Sequence, residues 1–235
     1  MGCDSDTPNR GKQCKPIGKL SILMLPRGQN RSRFRGPCPK KNNENNGSFL
    51  LEQLEQDHRV LRTFKDGKAK LKGYLEDYSF MADGLLAVYE LTLDQWWLDE
   101  ARRLIDNMID LFWEDDEGMF YDTGNDHDQL LIRPREFFDN AIPCGSSVAV
   151  EVLLKLNLLT GEERYHTLAS RALQSVGPLL SQNPLGMSRW LCALDFYIQT
   201  PKEIAIIGKF DEESTQALFR TVYQRYLPNR VITAS

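Results

Sequence analysis

Two aspartates with short flanking motifs are the residues best placed to do chemistry. Asp77 lies in Leu75-Glu76-Asp77-Tyr78-Ser79, and Asp139 opens the stretch Asp139-Asn140-Ala141-Ile142-Pro143-Cys144-Gly145-Ser146-Ser147. Each stands just before a strongly apolar segment, so the two are expected at matching helix starts. Pro143 suits a first helical turn, where its missing N–H would have no intrahelical partner. Gly145, Ser146 and Ser147 then leave backbone N–H groups free for an oxygen-rich ligand or a carboxylate. Two carboxylates opening onto one cavity are what cleavage of a glycosidic bond requires, one as protonated acid and one as base or nucleophile. Asp77 and Asp139 are therefore the candidate catalytic pair. The competing role for each is a helix cap, worth about 1 kcal/mol.

The candidate substrate-binding residues are Tyr74, Glu76, Tyr78, His127, Arg133 and Trp190. Aromatic faces suit sugar rings, although they serve equally as core filler. His127 is the best proton-transfer candidate, because its ordinary pKa lies near neutrality. His58 and His166 read as surface residues of helices. Residues 122–128 resemble a calcium loop only faintly, lacking the central Gly and closing Glu. Phosphate-loop, dinucleotide-binding and Ser-His-Asp patterns are absent, so no cofactor and no metal is expected.

Charge and cysteine usage narrow the setting. Residues 1–43 carry ten Lys or Arg against Asp4 and Asp6, while the rest of the 235-residue chain holds 19 basic and 31 acidic residues. An acidic body repels nucleic acid, leaving only the tail able to bind it. The five cysteines are odd in number and form no C-x-x-C pair, which argues against a disulfide scaffold or zinc site and suits the cytoplasm. Without eighteen consecutive apolar residues, no membrane span is expected.

The elements that must position these residues come next. Residues 1–46 are rich in Gly, Pro, Asn and Arg and read as a disordered basic tail. Residues 49–64 have helical spacing, Asp66-Gly67 ends that segment, and residues 68–72 read as extended. Residues 77–119 repeat at 145–187 with a constant offset of 68, each copy being two helices joined by a tight turn. The second helix of each pair has a wet face, shown by the stripe Trp97, Ala101, Leu104, Ile105, Met108 and its counterpart from Tyr165. The first helices, at 80–91 and 148–159, are apolar nearly all round and must be buried on both sides. Alternation of that kind predicts two concentric layers: a mainly α chain forming part of an α/α toroid over 47–200. Residues 118–122 and 129–133 read as two short strands around a polar turn. A short α/β appendage over 201–235 is predicted to follow a helix near 187–197. It comprises a buried strand at 204–208, a helix at 212–226 and a strand at Val231-Ile232.

Three landmarks in this order resemble the YyaL-type proteins, relatives of the spermatogenesis-associated thioredoxin-domain family. They are residues 68–78, residues 139–147 and the Ile204-Ala205-Ile206-Ile207-Gly208 strand. The resemblance implies a six-hairpin, glycosidase-like toroid, similar also to N-acylglucosamine 2-epimerases. It implies a carbohydrate ligand and leaves the reaction open. This chain departs from the family in two ways. The thioredoxin-like domain and the first half of the ring have no counterpart here, and the family's Pro-Ser-Gly-Asn-Ser run stands as Pro143-Cys144-Gly145-Ser146-Ser147. A half ring would expose an apolar edge for a partner chain to cover. The functional readings are a carbohydrate-active toroid, a non-catalytic binding or scaffold module, and an inactive truncated remnant.

Overall fold

A computed structural model describes residues 40–128, 132–209 and 212–234, with side chains from Glu44 onward. Residues 1–39 of the expected basic tail lie outside the described residues, as do 129–131 of the expected second loop strand. The first helix, α1 (Lys40–Leu54), begins inside the stretch expected to lack structure. Its first half has little apolar periodicity, but Gly47, Leu50 and Leu54 further along are buried and anchor the whole element.

Helix α1 does not run on to Phe64. Asp57 and His58 both adopt left-handed backbone (φ 49° and 62°), which a right-handed helix cannot include. They form a tight turn between β1 (Glu55–Gln56) and β2 (Arg59–Lys65). Strand β2 then pairs antiparallel with β3 (Lys68–Lys72), with Thr63 opposite Lys70 and Lys65 opposite Lys68. Asp66 (φ 52°) and Gly67 (φ 73°) supply the two positive φ values that a two-residue hairpin demands. The β-branched and aromatic residues of β2, Val60, Thr63 and Phe64, favour the pleated form. His58 accordingly sits on a turn rather than a helix.

The repeat appears as two hairpins of helices. Helix α2 (Leu75–Thr92) leads into α3 (Gln95–Phe112), and α4 (Gly145–Thr160) into α5 (Glu163–Gln182). Each inner helix ends on a left-handed residue at the equivalent site, Leu93 (φ 59°) and Gly161 (φ 74°). The side chains that bury α3 recur every three to four residues: Trp97, Ala101, Leu104, Ile105, Met108 and Phe112. In α5 the same stripe is Tyr165, Ala169, Ala172, Leu173, Val176 and Leu180. These two form the outer layer. Helices α2 and α4 are buried over most of their circumference, from Leu75 to Leu91 and from Gly145 to Leu156. They pack against one another, and α6 (Ser188–Ile198) packs on α4 to continue the inner layer. A Cβ on Gly145 would come within 2.8 Å of the Glu76 backbone N, so a glycine is what lets the starts of α2 and α4 approach.

The connection from α3 to α4 crosses the starts of the inner helices. Strand β5 (Met119–Phe120) pairs antiparallel with β4 (Trp113–Glu114). Beyond it the Asp122 carbonyl accepts from Leu75 N (2.9 Å), and Asp139 N donates to the Gly186 carbonyl (2.8 Å). At the C-terminal end β6 (Lys202–Ile206), α7 (Glu213–Gln224) and β7 (Arg230–Ala234) make a β-α-β unit with parallel strands. Strand β7 is covered on both faces, Val231 joining the main core and Ile232 the second one. Strand β6 is buried only at Ile206, and Ile207 just beyond its end is 78% exposed, so the strand expected to be buried is largely open. Ile206, Phe219 and Ile232 form a small second core. The unit docks on the end of α2 through Tyr89 Oη to Thr233 Oγ1 and from Tyr223 Oη to the Glu90 carbonyl, both 2.9 Å.

Candidate functional site

The sequence-predicted residues divide into three groups around the starts of the inner helices. The largest lies beneath the β2–β3 hairpin. Asp77 is the third residue of α2, and its Oδ2 accepts from Tyr74 N and from Arg62 Nη1, both at 2.9 Å. The first of these contacts is a reciprocal capping bond back to the helix start. Arg62 also donates to Glu76 Oε1 (2.7 Å) and lies 4.5 Å over the Tyr74 ring. Arg59 donates to the Tyr78 hydroxyl and to Asp126 Oδ1, both at 2.8 Å. The His127 ring lies 5.4 Å from that of Tyr74. Its Nδ1 accepts from Gly124 N (3.1 Å), which in the neutral ring leaves the proton on Nε2, a buried atom without a partner among the described residues.

The accessibility of this group decides what it can do. Tyr74 is 38% exposed and offers a ring face, but Asp77 and Tyr78 are fully buried. Tyr78 fills the core, with its hydroxyl accepting from Val60 N (2.9 Å) as well as Arg59. Burial raises the Asp77 carboxyl to about 6 despite the opposing Arg62 charge, and Oδ1 has no partner. Asp122 nearby is likewise raised to about 6 by burial. Burial, then the Arg59 charge, lowers the His127 pKa, so the neutral ring predominates at neutral pH.

The second group is Asp139 with Trp190. Asp139 is not at the position equivalent to Asp77, whose counterpart in the repeat is Gly145. It lies upstream of α4 and joins two helix starts: Oδ1 accepts from Cys144 N (3.0 Å) and Oδ2 from Arg189 N (2.7 Å). Trp190 is fully buried, donating from Nε1 to the Phe137 carbonyl (3.0 Å). Arg133 stands alone on the connecting loop, its Nη2 on the Thr123 carbonyl (2.5 Å) and its guanidinium 4.0 Å from the Tyr121 ring.

None of these eight residues lines the cavity of about 260 Å³ on the inner helices, which is bounded by Asp83, Leu86, Ala87, Glu90, Glu151, Lys155 and Arg189. Four of its side chains form a closed ring of alternating charge. Lys155 Nζ lies 3.1 Å from Asp83 Oδ1 and 2.8 Å from Glu151 Oε1. Arg189 closes the ring, Nη2 being 3.3 Å from Asp83 Oδ2 and Nε 2.7 Å from Glu151 Oε2. Burial would raise the Asp83 carboxyl, but Lys155 and then Arg189 more than offset it and hold it below the usual range. Glu90 differs: burial raises its pKa, and its carboxyl makes no hydrogen bond or ion pair among the described residues. The backbone of Arg189 is held by Asp139, so the second group supports the cavity without entering it.

This quartet was missed in the sequence, yet a signal for it was present. Asp83 and Glu151 are 68 residues apart, the repeat offset itself, and each interrupts an otherwise apolar helix. Glu76, Asp83 and Glu90 also recur every seven residues along one side of α2. Among the described residues no cluster of His, Cys, Asp or Glu could hold a metal ion, and no helix is long and apolar enough to cross a membrane.

Two helical layers with charged groups on the inner wall define part of an α/α toroid of the glycosidase type. A glycoside hydrolase family 76 mannosidase from Bacteroides thetaiotaomicron superposes with a TM-score of 0.54 at 16% identity, over 69% of this chain and 44% of the mannosidase. The expected fold class is thereby borne out. Over 68% of its length the chain belongs with the spermatogenesis-associated protein 20 homologues: it is 33% identical to the rat protein over 164 residues and 32% identical to the human protein over 161. The chain spans 20% of the length of those relatives. An uncharacterised Caenorhabditis elegans protein is 24% identical over 208 residues, 87% of this chain and 27% of that protein. No family model matches the chain.

Proposed function

We propose that this partial toroid is a carbohydrate-binding module whose site is the charged cavity on its inner helices. The observation that carries the reading is that five charged side chains from three otherwise apolar helices converge on one cavity. Paired charges next to the apolar floor of Leu86 and Ala87 suit a ligand bearing hydroxyls on one side and C–H groups on the other. The mannosidase neighbour, named for a sugar substrate, points the same way. A non-catalytic role fits better than hydrolysis because Asp77 is fully buried with Oδ2 committed to Tyr74 N and Arg62, and both Asp139 oxygens are committed to helix starts.

Catalysis by Asp77 and Asp139 keeps one observation in its favour. A carboxyl raised to about 6 is a competent proton donor near neutrality. A glycan-binding and turnover screen on the purified chain separates the two. The module reading expects binding that survives Asp77→Asn and Asp139→Asn in folded protein and is lost with Asp83→Asn or Glu151→Gln. Turnover abolished by both of the first pair would instead establish the enzyme. The exposed Leu191 and Ile198 on α6 fit a partner chain that extends the inner layer, and the free thiols of Cys144 and Cys192 fit the cytoplasm.

A further inference from the structure

We propose that the inner-wall cavity selects an uncharged, single-ring polyol and discriminates against uronic acids and amino sugars. The inference rests on the carbohydrate reading and adds the charge class of the sugar. Asp83, Glu151, Lys155 and Arg189 neutralise one another, each cation touching both anions at 2.7–3.3 Å. Their side chains are only 4%, 14%, 21% and 25% exposed, so these ion pairs are weakly screened by solvent. A carboxylate ligand reaching Lys155 or Arg189 either displaces a protein carboxylate or adds an uncompensated negative charge to a ring that is already neutral. An ammonium ligand reaching Asp83 or Glu151 likewise displaces a cation or adds an uncompensated positive charge. An uncompensated charge in a poorly solvated site is costly. A hydroxyl asks for no exchange, since it donates to a carboxylate and accepts from a cation while the ring of charges stays closed.

Glu90 is the one charged group on the cavity outside that ring. Facing it are Asp83 on its own helix, Glu151 and Lys155 from α4, and Arg230 from β7, with the Tyr223 hydroxyl of α7 on its backbone carbonyl. Burial raises its pKa above the ordinary glutamate value, while the Lys155 and Arg230 charges oppose that shift. The volume of about 260 Å³ lies below the roughly 300–1,000 Å³ of drug-sized sites, which suits one ring and not a chain of them.

Titration calorimetry of the full chain with mannose, glucose, glucuronate and glucosamine at neutral pH tests this directly. At least one neutral hexose is expected to bind about tenfold or more tightly than either charged sugar. Asp83→Asn leaves two cations facing one anion and is expected to shift preference toward glucuronate. Glu151→Gln, at a more open position, makes the same imbalance should the first variant fail to fold. Glucuronate or glucosamine binding as tightly as the hexoses to wild type would overturn the charge selection while leaving a carbohydrate module standing. A preference unmoved in folded Asp83→Asn or Glu151→Gln protein would place the sugar elsewhere and overturn it too. Failure of all four sugars to bind would remove both readings.

Discussion

Asp77 and Asp139 have the composition and neighbours of catalytic carboxylates, but local hydrogen bonding gives them other work. A carboxylate within reach of free helix N–H groups satisfies them before it can serve a ligand, and nothing in the local sequence distinguishes the two outcomes. Asp77 also carries a titration signature. Its folded pKa of about 6 lies above that of a free aspartate, so the folded chain holds this proton more tightly than the unfolded chain. Its contribution therefore favours folding below about pH 4 and is lost as pH rises through about 6, amounting to roughly 2–3 kcal/mol. Urea midpoints of wild type and Asp77→Asn should show the difference: any advantage of wild type at pH 4 should shrink or reverse by pH 7. A gap independent of pH would mean that Asp77 is ionised throughout. Tyr78→Phe should cost about 1–3 kcal/mol, because Val60 N would lose its acceptor in a buried place. Denaturant unfolding measures that cost. The quartet, by contrast, was legible in the repeat, since Asp83 and Glu151 share one position in two copies. It was passed over because a helix apolar on most sides reads as pure core.

At the level of elements, the paired helices were read correctly from spacing, because burial imposes its period wherever one face meets a core. The β2–β3 hairpin was not, although Asp66-Gly67 between β-rich flanks is a strong turn signal. Leu50, Leu51 and Leu54 lie on α1, and Leu61 falls on the same helical grid only by coincidence, while the switch to left-handed backbone at Asp57 and His58 leaves little trace in composition. That hairpin supplies Arg59 and Arg62, which organise most of the predicted mouth residues, so misreading it hid the partners of Asp77. The contact between helix starts also makes a sharp expectation. Gly145→Ala places a Cβ against the α2 backbone and should lower stability by about 1–3 kcal/mol. Gly177→Ala on α5 meets nothing within 4 Å and should raise stability by roughly 0.5–1 kcal/mol. Thermal unfolding of the pair would refute the packing account if both variants moved in the same direction.

For the molecule as a whole, the two layers followed from two facts of sequence: a repeat, and helices with no wet side. How the C-terminal unit attaches was invisible, since it depends on Tyr89, Thr233 and Tyr223 meeting across more than 130 residues. Among the described residues that unit's own core is three buried apolar side chains, whereas the layered helices share a large continuous one. Amide hydrogen exchange should accordingly find β6, α7 and β7 opening well before α2 and α4. Equal protection throughout would mean that the unit and the helices unfold as one.

The doubling of the inner helix carries a consequence of its own. Asp83 and Glu151 are twins, reached by the same lysine and the same arginine from opposite sides. Each is thus an internal control for the other: neutralising either one alone, and then both, completes a thermodynamic square within a single protein. If the second removal costs much less than the first, the twins answer as one unit, and an ancestral duplication has left behind a matched pair.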